Sequence, residues 1–157
     1  MSWRRGPRLV ATPEVRRIVS AALAHGGRGS LAVAVIFVDD EYLCALHERF
    51  LGDPSATDVI TFDLGASDAE DGVACEIYVS VDCARRVAHR RGEPVERELA
   101  LYLVHGALHL CGFDDHERGD RRRMRAAEAH VLRALGYRAR VTRKRANVRR
   151  NTPPSRA

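Results

Sequence analysis

His105 and His109 stand four residues apart in the run His105-Gly106-Ala107-Leu108-His109-Leu110-Cys111-Gly112-Phe113-Asp114-Asp115-His116. The run is apolar and reads as helix up to Gly112, so the two imidazoles share one face, a turn apart. Placed that way they can bind one metal ion together. An ion also satisfies two imidazoles that are costly to bury without partners. Gly112 breaks the helix, and Asp114, Asp115 and His116 return as further donors. Two helical ligands, a glycine turn and a third ligand describe a hydrolytic metal site with one coordination position open for water. The zincin pattern H-E-x-x-H carries its general base directly after the first histidine. Gly106 holds that place here. The run therefore lacks the base of a metalloprotease, and the glycine is expected to leave space beside the ion.

The elements that must position these residues follow from the pattern around them. Thr12-Pro13-Glu14 reads as a helix start with Thr12 as N-cap, and Val15, Ile18, Val19, Ala22 and Leu23 then make one apolar face ended by Gly26-Gly27. Leu31–Val38 reads as a buried strand. Asp39 or Asp40 caps a second helix whose Leu43, Leu46 and Phe50 are expected to face the core. Thr57–Phe62 is strand-like around Val59 and Ile60. Ala66–Gly72 reads as a mobile acidic loop. Ala74–Val81 alternates, with Ile77 and Val79 on one side and Glu76 and Tyr78 on the other. A basic helix follows from Ser80-Val81-Asp82 to about Arg91, then the motif helix from Val95 to about Cys111. The last helix runs from about Glu117 to Leu135, with Gly136 as its stop. The order α-β-α-β-β-α-α-α predicts one α+β domain, a small mixed sheet covered by helices, with the metal site on a long helix and the turn after it.

Composition narrows the function classes. A chain of 157 residues that is 45% hydrophobic fits one domain with a real core. No apolar run approaches the roughly 20 residues that span a bilayer. No apolar stretch follows Arg4, Arg5 and Arg8, so a secretory signal is not expected. Cys44, Cys75, Cys83 and Cys111 form no CxxC pair and read as buried free thiols of a cytoplasmic protein. Residues 138–157 hold eight basic residues and no acid. Without those eight, 18 basic residues remain against 21 acidic ones, so the net charge of +5 belongs to the tail. A basic tail, expected to be disordered, suits a polyanion such as RNA.

The motif H-G-A-L-H-L-C-G-F-D-D resembles the signature H-G-x-L-H-L-x-G-Y-D-H of the YbeY family, bacterial single-strand-specific endoribonucleases that mature ribosomal RNA, notably the 3′ end of the small-subunit (16S) RNA. Thr57-Asp58-Val59-Ile60-Thr61-Phe62 resembles that family's T-D-V-L-S-F strand, and Cys75-Glu76-Ile77-Tyr78-Val79-Ser80 its G-D-I-x-I-S strand. Val35–Phe50 resembles a strand and helix ending in L-N, with His47 at the asparagine. The resemblance covers about Leu31 to Leu135. It implies a nuclease domain over residues 1–137, one Zn(2+) per chain held by three side chains, and ribosomal RNA and the small ribosomal subunit as partners.

His105 and His109 match the first two ligands of that family. Its third, a histidine ten residues after the first, is Asp115 here, with His116 one later. Without a gap Asp115 is the ligand, and with a one-residue insertion His116 is. The ungapped alignment places Met124 where the family often has methionine, which favours Asp115. Asp58, through the T-D-V match, and Asp114, through adjacency, join His105 as candidates for catalysis. Asp58 reads equally as a strand-end cap, and Asp114 as a turn former. The arginine common before the T-D-V strand is Leu51 here, with Arg49 two residues earlier. The alternative is a non-catalytic ribosome-assembly factor with a structural metal.

Overall fold

Alternation along β4 (Cys75–Ser80) sets the two faces of the sheet: Cys75, Ile77 and Val79 are buried on one side, and Glu76 and Tyr78 turn to the other. The computed structural model describes residues 9–65 and 73–137, and the backbone of residues 2–3. Strand β2 (Val33–Val38) runs parallel to β4, with Val35 opposite Ile77. Strand β3 (Val59–Asp63) runs antiparallel on its other side, with Val59 opposite Val79. The two-residue β1 (Ser2–Trp3) pairs parallel with β2 at the edge, giving the order β1-β2-β4-β3.

Helix α4 (Val95–Leu110) crosses the face made by Val35, Phe37, Ile77 and Val79, and most of its side chains are buried. Around it pack α1 (Thr12–His25), α3 (Val81–Arg91) and α5 (Arg118–Ala134). The opposite face of the sheet, with Val38, Ile60, Phe62 and Tyr78, is covered by α2 (Asp40–Leu51) through Leu43 and Leu46. Ser80 caps α3 by accepting from the Cys83 amide at 2.9 Å, so the strand that backs α4 feeds directly into the helix beside it. The C-terminal end of α5 is tied to α1: the Tyr137 hydroxyl donates to Glu14 at 2.7 Å and Arg17 donates to the Leu135 carbonyl at 3.1 Å. Arg17 first, then Tyr137, hold the Glu14 carboxyl down at about 2.

The α+β class, the mixed sheet and the order of the larger elements agree with the sequence pattern. Four details differ. The cap of α1 is Ala11, not Thr12: Thr12 is already the first helical residue, and Ala11 has no side-chain acceptor to make a cap bond. Phe50 is 54% exposed, because α2 has reached the rim of the sheet there and the ring lies edge-on to Phe62 instead of in the core. The short β1 carries no periodic signal and is found only through its pairing with β2. Gly106 does not open space beside an ion. It faces the sheet, and a Cβ there would meet Ile77, Val59 and Thr61 methyls at 3.0, 3.1 and 3.2 Å. One position on from His105, the helix has turned by about 100° toward β3 and β4. The expected loop over residues 66–72 and the basic tail lie outside the described residues. Cys44, Cys75, Cys83 and Cys111 are free thiols, but only Cys75 is buried and the other three are half-buried.

Gly106→Ala weighs two opposed effects. Alanine gains about 1 kcal/mol in helix propensity, but overpacking a tight core costs about 1–3 kcal/mol. Three methyl groups on two strands cannot all retreat, so we expect a net loss of about 1 kcal/mol in denaturant unfolding. A variant as stable as the wild type would contradict the close approach of α4 to the sheet.

Candidate metal centre

Helix α4 ends where the Phe113 amide donates to the Leu108 carbonyl at 3.1 Å and the Gly112 amide to the His109 carbonyl at 2.9 Å. This is a Schellman turn, and it needs the left-handed conformation that Gly112 adopts, with φ at 87°. The same turn brings the Phe113 carbonyl to His109, whose Nδ1 donates to it at 2.9 Å. A carbonyl only accepts, so the His109 proton sits on Nδ1. His105 Nδ1 meets the Glu128 carboxylate from α5 at 2.7 Å. Each ring is thereby held by its Nδ1, and both Nε2 atoms face one another at 2.9 Å. With Nδ1 protonated in each ring, these are two lone pairs pointed at one place.

The turn adds a third donor there. One Asp115 oxygen lies 3.8 Å from His105 Nε2 and the other 3.8 Å from His109 Nε2. One donor atom from each of the three residues falls within 4.8 Å of the others. Donors around a tetrahedral ion with bonds of 2.0–2.1 Å lie about 3.3 Å apart, a spacing that the observed separations bracket. Opposed lone pairs, a carboxylate beside them and a carboxylate–histidine brace behind one ring make a donor set that fits a divalent metal.

The electrostatics agree with this geometry. Burial pushes the His105 pKa down, but the Glu128 hydrogen bond and the charges of Glu128, Asp58 and Asp115 together outweigh it and the net shift is upward. His109 shifts downward, through burial first and the neighbouring His105 second. A proton and a metal ion compete for the same pair of nitrogens.

Asp114 and His116 lie differently. The Asp114 carboxylate accepts from the Asp115 amide at 2.7 Å, from the His116 amide at 3.2 Å and from the His116 ring. The His116 ring, then the two amides, hold its carboxyl down at about 2, and the Asp114 charge raises the His116 pKa in turn. His116 is 84% exposed and bound to Asp114, away from the histidine pair. Arg121 of α5 donates to the Asp115 and His116 carbonyls and steadies the turn. Asp58, just before β3, lines a pocket of about 540 Å³ together with His105, Asp115 and Glu128, and its charge contributes to the upward shift of His105. The structure therefore brings His105, His109 and Asp115 together with Asp58 lining the same pocket, and groups Asp115 a second time with Asp114 and His116 in the exposed turn.

Sequence reasoning missed Glu128. The signal was present: an acid four residues after Met124 interrupts the apolar stripe of Met124, Ala127 and Val131 on α5. It also missed Arg91 and Arg125, which line the pocket. Arg49 lies over the Phe50 ring at 5.2 Å and Leu51 is 62% exposed. A second pocket of about 520 Å³, lined by Arg28, Thr61, Asp63 and His109, adjoins on the other side.

The geometry predicts an order of metal affinities. Asp115→Ala should lose far more than His116→Ala, and Glu128→Gln should lose about 10–100-fold, as removal of a ligand's hydrogen-bond partner does. A titration against a chelating indicator measures all three. Affinity should fall as pH drops through the histidine range, because only neutral imidazoles ligate. A larger loss for His116→Ala than for Asp115→Ala would move the third ligand to His116.

The sequence model of the family described as Endoribonuclease YbeY matches residues 9–136. An Endoribonuclease YbeY of Anaeromyxobacter sp. (strain Fw109-5) is 35% identical over 126 residues, which span 80% of this chain and 66% of the relative. One of Porphyromonas gingivalis is 33% identical over 78% of this chain and 83% of its own length, and one of Desulforamulus reducens 36% identical over 78% and 84%. A Thermotoga maritima protein of known solution structure shares the fold, with a TM-score of 0.54 and 23% identity over 92% of this chain and 98% of that one.

Proposed function

The chain belongs to the Endoribonuclease YbeY family, and from that premise we propose that it is a metal-dependent endoribonuclease that cuts single-stranded RNA in the maturation of ribosomal RNA. The observation that carries this reading is the pair of Nε2 atoms facing each other at 2.9 Å with Asp115 beside them. His105, His109 and Asp115 hold the ion. Two imidazoles and a carboxylate suit zinc, one per chain. Such an ion supplies positive charge against a scissile phosphate and makes water a nucleophile at neutral pH.

The remaining steps belong to the chain's own groups. Asp58 lines the pocket with His105 and Asp115 and accepts a proton from the attacking water. Asp114 acts indirectly, by building the turn that presents Asp115. Arg125 on one side and Arg28 on the other offer guanidiniums to phosphates flanking the cut. His116, bound to Asp114, leaves three donors instead of four. Three donors would leave a coordination position open, which supports the enzyme over an assembly factor with a closed structural site.

Residues 1–137 form the nuclease domain in this reading, and the tail of residues 138–157 adds phosphate contacts without reading sequence. The partner is the small ribosomal subunit and its 16S RNA 3′ end. The compartment is the cytoplasm, consistent with free thiols and with the finding that no helix among the described residues is long and apolar enough to cross a membrane.

Cleavage of single-stranded ribosomal RNA fragments by wild type and His105→Ala, with and without chelator, tests the reading. Wild type should cut, chelator should stop it, and folded His105→Ala should lose activity by several orders of magnitude. Equal cleavage by both proteins would assign the activity to a contaminant and restore the non-catalytic assembly factor.

A further inference from the structure

One buried charge in the pocket has no use in the chemistry above. Glu98 lies on α4 two turns before His105, about 10 Å along the helix, and its side chain is fully buried. One of its carboxylate oxygens pairs with Arg91 of α3. The other, Oε2, has no hydrogen-bond partner among the described residues. A buried carboxylate oxygen without a partner is costly, and retaining one calls for an explanation. Glu98 lines the same pocket that holds His105 and Asp115 at its other end. Arg91 is 56% exposed, so a ligand entering the pocket meets the guanidinium first and the carboxylate behind it. Leu101 and Val87 supply apolar wall.

Building on the nuclease reading, we infer that this end of the pocket is a subsite for one unpaired nucleobase next to the scissile phosphate, read through its Watson–Crick edge by Arg91 and Glu98. The chemistry is complementary. Every RNA base carries an acceptor beside an N–H donor on that edge. Arg91 has only donors to offer, and Glu98 Oε2 only accepts. The pocket volume of about 540 Å³ accommodates a nucleoside. A base whose edge is engaged by Arg91 and Glu98 cannot also be paired with another strand. The subsite therefore gives a physical origin for selection of single strands, separate from the metal centre.

The test uses zinc-loaded full-length protein and two labelled oligoribonucleotides, oligouridine and its N3-methyluridine counterpart, which lacks the Watson–Crick N–H. Binding is read by stopped-flow anisotropy before cleavage. Methylation should weaken binding to wild type by about tenfold or more, the usual effect of stranding a charged acceptor. In Glu98→Ala, checked for folding by its melting curve, the two oligonucleotides should bind alike. Equal binding of both to wild type would overturn the subsite, and so would an undiminished methylation effect in folded Glu98→Ala. If Glu98→Ala does not fold, the wild-type comparison still decides. Failure of wild type to bind either oligonucleotide would overturn the nuclease reading along with the subsite.

Discussion

Two imidazole nitrogens aimed at each other across 2.9 Å are held there by everything around them. Without an ion, a proton on one of the two nitrogens makes that contact a hydrogen bond. The rings do not turn away, because each Nδ1 is committed: His105 to Glu128 and His109 to the Phe113 carbonyl. Those partners come from different sources, one a neighbouring helix and the other the turn that ends the helix carrying both histidines. A metal ion in place of that proton would make two bonds where the proton makes one, and Asp115 supplies negative charge beside it.

The fold can be read as the support for that arrangement. Helix α4 is buried along most of its length between the sheet and three other helices, so its two histidines have little freedom to drift. Gly106 lets the helix press onto β3 and β4 at a distance that any side chain would oppose. Gly112 allows the Schellman turn, which fixes the His109 ring and reverses the chain so that Asp115 returns toward the histidines. Asp114 and Arg121 stiffen that return. Helix α5, anchored at its far end by the bonds of Tyr137 and Arg17 to α1 and to its own C-terminus, delivers Glu128 to His105. The proposed base subsite uses the same buried helix two turns earlier, where Glu98 replaces the histidine and Arg91 replaces Glu128.

What the sequence made legible was mostly local. Histidines at i and i+4 share a helical face whatever the rest of the chain does, and a glycine after them ends the helix, so the ligand pair and the turn could be read directly. The alternation in Cys75–Ser80 likewise announced which side chains enter the core. The choice between Asp115 and His116 could not be made locally, since both follow the same turn. The tertiary observation that bears on it is the Asp114 carboxylate, which holds the His116 ring. Gly106 misled for a related reason. The zincin comparison drew attention to its neighbour on the chain, whereas its role lies across the helix, against strands distant in sequence. Glu128, Glu98 and Arg91 were invisible as site residues because their pairing is tertiary, although an acid on an apolar stripe was a sign that went unread.

The central claim is that His105, His109 and Asp115 form an open metal centre. X-ray absorption of the zinc-loaded protein measures this directly, through the number and kind of atoms bound to the ion. The account predicts two imidazoles, one carboxylate and one further exchangeable oxygen donor, with the two-imidazole count unchanged in His116→Ala. A third imidazole in the wild-type spectrum that disappears in His116→Ala, or an ion bound without both histidines, would contradict it.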